Sequence, residues 1–136
     1  MNNELLIKKF SYEDTEELKK FSLKLPSFIY HKLGKIQSWT KTVSAKKINL
    51  SETIAYCVEL VTSNEDKFID KKLSRFRATI KEDAPNAVSL ELPASTWRKV
   101  IKIQGLLGMK GPQGKKVSDH ETVGHCIERA YEELEL

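Results

Sequence analysis

The chain has 136 residues, 31% of them charged and 40% hydrophobic, with a formal net charge of +4. This length predicts one or two small domains, and no apolar run is long enough to cross a membrane. The first residues lack the basic and apolar regions of a signal peptide, and neither Cys57 nor Cys126 has a nearby cysteine partner. We therefore expect a cytoplasmic protein with unreactive core thiols. The mildly basic charge is compatible with nucleic-acid binding but does not require it.

The first half of the chain predicts an arm, a strand and a helix. Residues 1–19 mix apolar and acidic segments and are assigned to an N-terminal arm, whose role the sequence leaves open. Apolar and polar residues alternate from Lys20 to Leu25, which is typical of a strand with one solvated face. Pro26 ends this strand, and apolar residues at helical spacing predict a helix from about Ser27 to Thr40.

A second helix is predicted after the lysine pair Lys46 and Lys47. Asn49 and Glu52 have the spacing of a capping box, in which each side chain bonds the backbone N–H of the other residue. Apolar residues at helical spacing then predict its buried face: Ile54, Cys57, Val58 and Val61. The first unit spans residues 20–62, and the strongly charged residues 63–86 form a linker that ends in a turn.

Residues 87–136 repeat this order of elements. Their strand alternates from Val88 to Leu92, Ser118 and Glu121 have the spacing of a second capping box, and the predicted buried face of the helix that follows is Val123, Cys126, Ile127 and Ala130. With an offset of 67 residues, which aligns Pro26 with Pro93, residues 22–37 and 89–104 agree at 8 of 16 positions. With an offset of 69, residues 46–59 and 115–128 agree at 6 of 14. Unrelated segments agree at about one position in twenty, so we infer a duplicated unit. Each half is near the lower size limit for an independent core, and we therefore expect the two copies to share one core.

The order of strand, helix, loop and capped helix, found twice, resembles the ribbon-helix-helix DNA-binding proteins of the Arc and MetJ type. The residues that carry the resemblance are 22–26 with 49–54, and 89–93 with 118–123. The resemblance implies a mainly α fold with a short two-stranded antiparallel ribbon (α+β). Family members ordinarily pair one strand from each subunit and place this ribbon in the DNA major groove. Two fused copies, as in the TraY accessory proteins of conjugative plasmids, imply a single-chain pseudo-dimer.

The alternation in the two strands places three residues of each on one outward face. If the ribbon enters the major groove, these side chains meet base edges, where lysine donates to guanine O6 or N7 and a carboxylate accepts from cytosine N4. Serine can donate or accept, and alanine can pack on a thymine methyl. The expected base contacts are Lys20, Ser22, Lys24, Ala87, Ser89 and Glu91. The alternative is an edge hairpin whose polar face is merely solvated.

The lysine pairs and the capping residues of the second helices predict phosphate contacts. A helix N-terminus already offers N–H groups and the positive end of its dipole, so nearby lysines suit a phosphate. The expected residues are Lys46, Lys47, Asn49, Lys115, Lys116 and Ser118. Solvated loop charges are the alternative for the lysines, and their repetition in both copies favours phosphate binding.

We predict no enzyme, cofactor or metal site. The sequence contains no nucleophile–base grouping or phosphate-binding glycine loop, and His120 and His125 do not share a helical face. The expected partner is double-stranded DNA, with possible self-association on DNA, and the expected function is a transcriptional repressor or regulator. An accessory factor of a plasmid transfer origin fits the same features. A third hypothesis is an antitoxin-like protein-interaction module that does not bind DNA, which the negative charge of Glu91 keeps open.

Overall fold

The computed structural model describes residues 18–63, 86–110 and 117–136, in which four helices and two strands form a mainly helical α+β fold. Most of the arm, most of the predicted linker and the lysine pair 115–116 lie outside the described residues. The elements in chain order are β1 (Leu18–Leu25), α1 (Ser27–Ser44), α2 (Leu50–Ser63), β2 (Asn86–Pro93), α3 (Ala94–Lys110) and α4 (Asp119–Glu133).

The two strands pair with each other in antiparallel orientation, although sixty residues separate them in the chain. Ser22 lies opposite Ser89 at the centre of the pairing, and the two serines occupy the same position of the repeat. A two-stranded ribbon is marginal by itself and needs a hydrophobic face packed against helices. Leu23, Leu25, Leu90 and Leu92 provide that face, since all four are at most 1% exposed.

One continuous hydrophobic core contains side chains from all six elements. Among the described helices, α2 and α4 pack against each other most extensively, and buried residues extend from Thr53 to Val61 on α2 and from Thr122 to Ala130 on α4. Every predicted apolar position on these two helices is buried. The core therefore lies behind the ribbon, whose opposite face is left to solvent.

Two ion pairs join the copies in a reciprocal way. The Lys32 ammonium lies 3.5 Å from the Glu128 carboxylate, and the Lys99 ammonium contacts the Glu59 carboxylate. Lys32 and Lys99 occupy equivalent positions of the repeat, as do Glu59 and Glu128. The same lysine–glutamate contact is therefore made twice, each time between residues of different copies.

Several predicted boundaries are wrong by a few residues. Strand β1 begins at Leu18 rather than Lys20, Ser63 still belongs to α2, and Asn86 already belongs to β2. Helix α1 continues past the predicted end at Thr40, because Thr40 is buried and Val43 packs against the core. The apolar stripe of α1 therefore runs one turn further than the sequence pattern had suggested.

Helix α1 is followed by the C-cap residue Ala45, whose φ of 54° is left-handed. This conformation costs a residue with a Cβ about 1–2 kcal/mol, whereas glycine adopts it freely. Ala45→Gly is expected to raise the free energy of unfolding by about 0.5–1 kcal/mol, because the relieved strain exceeds the added entropy of the unfolded chain. Urea denaturation measures this change, with Ala55→Gly inside α2 as the destabilised control. A loss of stability in the Ala45→Gly protein would contradict the prediction.

The two cysteines are free and buried in the core, as predicted. Burial raises the pKa of the Cys126 thiol to about 12. Burial, together with the neighbouring Cys126, raises the pKa of Cys57 well above its usual range. Both thiols therefore stay protonated in the folded protein under conditions in which they ionise in the unfolded chain.

Alkaline pH is expected to destabilise the fold through these thiols. Their stabilising contribution is complete below the pKa of an unfolded-chain thiol, about 8.5, and is lost as the pH rises toward 12. Each thiol lowers the free energy of unfolding by up to about 1.4 kcal/mol per pH unit in this range. Denaturation curves between pH 8 and 10 measure the slope, and Cys57→Ala with Cys126→Ala should flatten it. An unchanged slope in the double variant would assign the effect to other groups.

Within the described residues, no helix is both long enough and apolar enough to traverse a lipid bilayer.

Candidate nucleic-acid interface

The outward face of the β1–β2 ribbon carries all the residues predicted to contact bases. Each of the six side chains is exposed, and buried side chains occupy the alternate positions Leu23, Leu25, Val88, Leu90 and Leu92. The pleat of the ribbon thus separates a dry face from a polar one. The face consists of Lys20, Ser22, Lys24, Ala87, Ser89 and Glu91, and we call it the ribbon face.

The antiparallel register decides which of these side chains are neighbours. Lys20 stands opposite Glu91, Ser22 opposite Ser89, and Lys24 opposite Ala87. The two ends of the ribbon face therefore differ in chemistry. One end carries a cation and an anion, and the other carries a cation and a methyl group.

Lys20 and Glu91 form an ion pair across the ribbon. The ammonium nitrogen and a carboxylate oxygen lie 3.5 Å apart, and the side chains are 83% and 49% exposed. An ion pair this open to water contributes at most about 1 kcal/mol to stability. Lys20 and Glu91 can therefore separate and bind another molecule at little cost. Strand β2 contains no lysine or arginine, so the sequence around Glu91 did not indicate its partner.

The N-termini of α2 and α4 flank the ribbon face, and both capping boxes are confirmed. Asn49 Oδ1 accepts from the Glu52 N–H at 2.8 Å, and the Glu52 carboxylate accepts from the Asn49 N–H at 3.2 Å. Ser118 Oγ accepts from the Glu121 N–H at 3.1 Å, and the Glu121 carboxylate accepts from the Ser118 N–H at 3.3 Å. Capping uses the side-chain oxygens of Asn49 and Ser118 as acceptors, so the donors that remain for another ligand are the Asn49 amide NH2 and the Ser118 hydroxyl hydrogen.

Two equivalent glutamines hold the segments that lead into these helices. The Gln37 side-chain amide donates to the Ile48 carbonyl at 2.8 Å, and that of Gln104 donates to the Val117 carbonyl at 2.7 Å. Gln104 also donates to a carboxylate oxygen of Asp119 at 3.0 Å. These bonds hold the backbone in position just before each capping box.

Sequence reasoning missed the two residues that tie the helix N-termini to the ribbon. Ser51 Oγ accepts from the Glu91 N–H at 3.0 Å, and His120 Nδ1 accepts from the Lys24 N–H at 2.9 Å. Ser51 and His120 are equivalent in the repeat, and each bonds the strand of the other copy. Both residues lie two positions after the N-cap residue, and this equivalence was the available signal. It was missed because a serine and a histidine at that position do not resemble each other.

Along the Lys20–Glu91 end, the ribbon face and the start of α2 enclose an open groove of about 720 Å³. Asn49, Leu50 and Ser51 form one wall, and the central serines of the ribbon form part of the floor. The groove gives a ligand that lies on the ribbon face simultaneous access to the α2 N-terminus.

Lys46 and Lys47 are exposed and lie in the loop immediately before the α2 capping box. The equivalent lysines of the second copy lie outside the described residues. The predicted phosphate contacts on the first copy are therefore close to each other in the chain and open to a ligand. Among the described residues, no cluster of three or more histidine, cysteine or acidic side chains could hold a metal ion.

No protein-family model, curated protein or solved structure matches this chain.

Replacing Lys46, Lys47, Lys115 and Lys116 with alanine is expected to weaken DNA binding about equally on all sequences. If each lysine neutralises a phosphate, the slope of log affinity against log salt shrinks by about 0.9 per lost contact. Fluorescence anisotropy with a labelled duplex measures the slope at several salt concentrations. The matched control replaces the same four lysines with arginine, which keeps the charges and should keep the slope. An unchanged slope in the alanine protein would exclude these lysines as phosphate contacts.

Proposed function

We propose that the protein is a sequence-specific double-stranded DNA-binding protein that acts as a transcriptional repressor. In this proposal the chain is a tandem ribbon-helix-helix protein whose two copies form a pseudo-dimer, and the ribbon face enters the major groove. The observation that carries it is the exposure of six charged, polar or small side chains on one face of an antiparallel ribbon. A two-stranded ribbon is one of the elements that fit the major groove.

The surroundings of the ribbon face support the same function. The capped N-termini of α2 and α4 are hydrogen-bonded to the ribbon backbone through Ser51 and His120. A duplex that meets the ribbon therefore also meets two helix N-termini, whose N–H groups and dipoles favour phosphate. Base contacts and phosphate contacts then come from one rigid unit, which fixes the register on DNA.

A plasmid transfer-origin factor requires the same binding chemistry, and the biological role follows from which sequence is bound. The other candidate is an antitoxin-like protein-interaction module. The observation that favours it is the Lys20–Glu91 ion pair, which leaves one end of the ribbon face without net charge. Such an end attracts DNA less strongly than two lysines would.

Binding to duplex DNA separates these functions. The proposal predicts that a random duplex binds with affinity that falls steeply with salt, and that selection from a random library yields one preferred sequence that binds at least about 1,000-fold more tightly. The control is Ser22→Glu with Ser89→Glu, which places two carboxylates at the centre of the ribbon face and should abolish binding while preserving the fold. Absence of salt-dependent duplex binding in the wild-type protein would refute the proposal.

A further inference from the structure

We infer that Lys20 and Glu91 act together to recognise a single G·C base pair, with guanine on the side of Lys20. This inference rests on the proposed function and specifies what one end of the ribbon face selects. In this inference the two residues contact the two bases of one pair, rather than bases of different pairs. The reason is that the distance between their charged atoms is close to the distance between the groups that the two paired bases present.

The ion pair already has the separation that a base pair presents in the major groove. The charged atoms lie 3.5 Å apart on directly opposite residues of the two strands. In a G·C pair, guanine O6 and cytosine N4 are hydrogen-bonded to each other, which places them about 2.9 Å apart. The ammonium can therefore reach guanine O6 and N7 while the carboxylate accepts from the cytosine N4 amino group.

The order of groups across the major groove separates G·C from the other three pairs. A G·C pair presents two acceptors, N7 and O6, on one side and a donor on the other, which complements a lysine beside a glutamate. A T·A pair keeps an acceptor next to a donor, but it places the thymine methyl near the ammonium and adenine N7 near the carboxylate. In a C·G pair the ammonium faces a donor and the carboxylate faces two acceptors, so both charges meet groups of the wrong kind. An A·T pair also exchanges the central donor and acceptor, and only adenine N7 remains as an acceptor on the lysine side. The expected order of affinity is G·C, then T·A, then the two reversed pairs.

The opposite end of the ribbon face provides an internal comparison. Lys24 stands opposite Ala87 there, so that end offers a cation and a methyl group but no carboxylate on the facing residue. A lysine alone is satisfied by guanine O6 and N7 and makes no contact with the cytosine that pairs with that guanine. The Lys20–Glu91 end should therefore discriminate more strongly against a reversed base pair than the Lys24–Ala87 end.

The test begins with the preferred duplex selected by the wild-type protein. All four base pairs are placed at each position of that duplex, and the affinities of wild-type, Glu91→Ala and Ala87→Glu proteins are compared. In the wild-type protein, reversing one G·C pair near one end of the site should weaken binding by about 5- to 150-fold. Glu91→Ala should reduce that discrimination to the level of the opposite end. Ala87→Glu should create a second strongly oriented G·C preference, because it places a carboxylate opposite Lys24.

The outcomes distinguish this inference from the proposed function. Both substituted positions, Ala87 and Glu91, are exposed, so circular dichroism melts should show an unchanged fold. Tight binding of one sequence with the same base preferences in wild-type and Glu91→Ala proteins would overturn the inference and leave DNA binding intact. Failure of the wild-type protein to bind any duplex would overturn both.

Discussion

Neither half of the chain is expected to fold as a monomer when the chain is divided into Met1–Asp66 and Lys67–Leu136. Within the described residues each half contains a single strand, and β1 and β2 pair only with each other. The core includes side chains from both halves, and the helices that pack most extensively, α2 and α4, belong to different halves. A division would therefore expose a large apolar surface, which should unfold each fragment or drive it to self-associate.

Mixing the two fragments in equal amounts should restore the native spectrum, because the reciprocal contacts between the copies need no covalent link. The Lys32–Glu128 and Lys99–Glu59 ion pairs and the Ser51 and His120 hydrogen bonds all connect one fragment to the other. NMR and analytical ultracentrifugation measure folding and association. Two stable fragments that remain monomeric and folded when separate would contradict the shared core.

Leu90→Ala is expected to lower the free energy of unfolding by about 2–5 kcal/mol. Leu90 is 1% exposed and lies in the face of the ribbon that packs on the core, so the shorter side chain loses buried contacts and leaves a cavity. Folded domains are stable by only about 5–15 kcal/mol, so this single change should remove a large part of the stability. Chemical denaturation measures the difference from the wild-type protein.

Ser89→Ala is the matched control, because Ser89 precedes Leu90 in the same strand but points to solvent. We expect a change within about 0.5 kcal/mol for this substitution. If the ribbon face binds DNA, the same substitution should weaken binding to the preferred duplex. Equal losses of stability in the two variants would mean that the two faces of β2 are not distinct as described.

The elements of this fold could be predicted from the sequence because their causes are local. Alternation in 20–25 and 88–92 predicted the strands, and the spacing of Asn49 with Glu52 and of Ser118 with Glu121 predicted the helix starts. Capping depends on residues within one helical turn, so a single sequence contains what is needed. The repeat also identifies which positions of the two copies are equivalent.

The contacts between the copies could not be predicted, because they depend on the register of two distant strands. The partner of Glu91 is Lys20 only because Ser22 pairs with Ser89, and a shift of the register would change every opposite pair. The roles of Ser51 and His120 also require the helix N-terminus to lie against the other copy's strand. Helix α1 extended past Thr40 because Val43 reaches the core, which depends on packing rather than on helix propensity.

The proposed contact between the ribbon face and DNA is tested most directly by NMR titration of the 15N-labelled protein with its preferred duplex. We predict that the largest amide shift changes fall on the ribbon, residues 18–25 and 86–92, and on the first turns of α2 and α4. Amides around Tyr30 and Ile101, on exposed faces of α1 and α3, should change little. Changes concentrated on these helix faces, with the ribbon amides unaffected, would contradict the account.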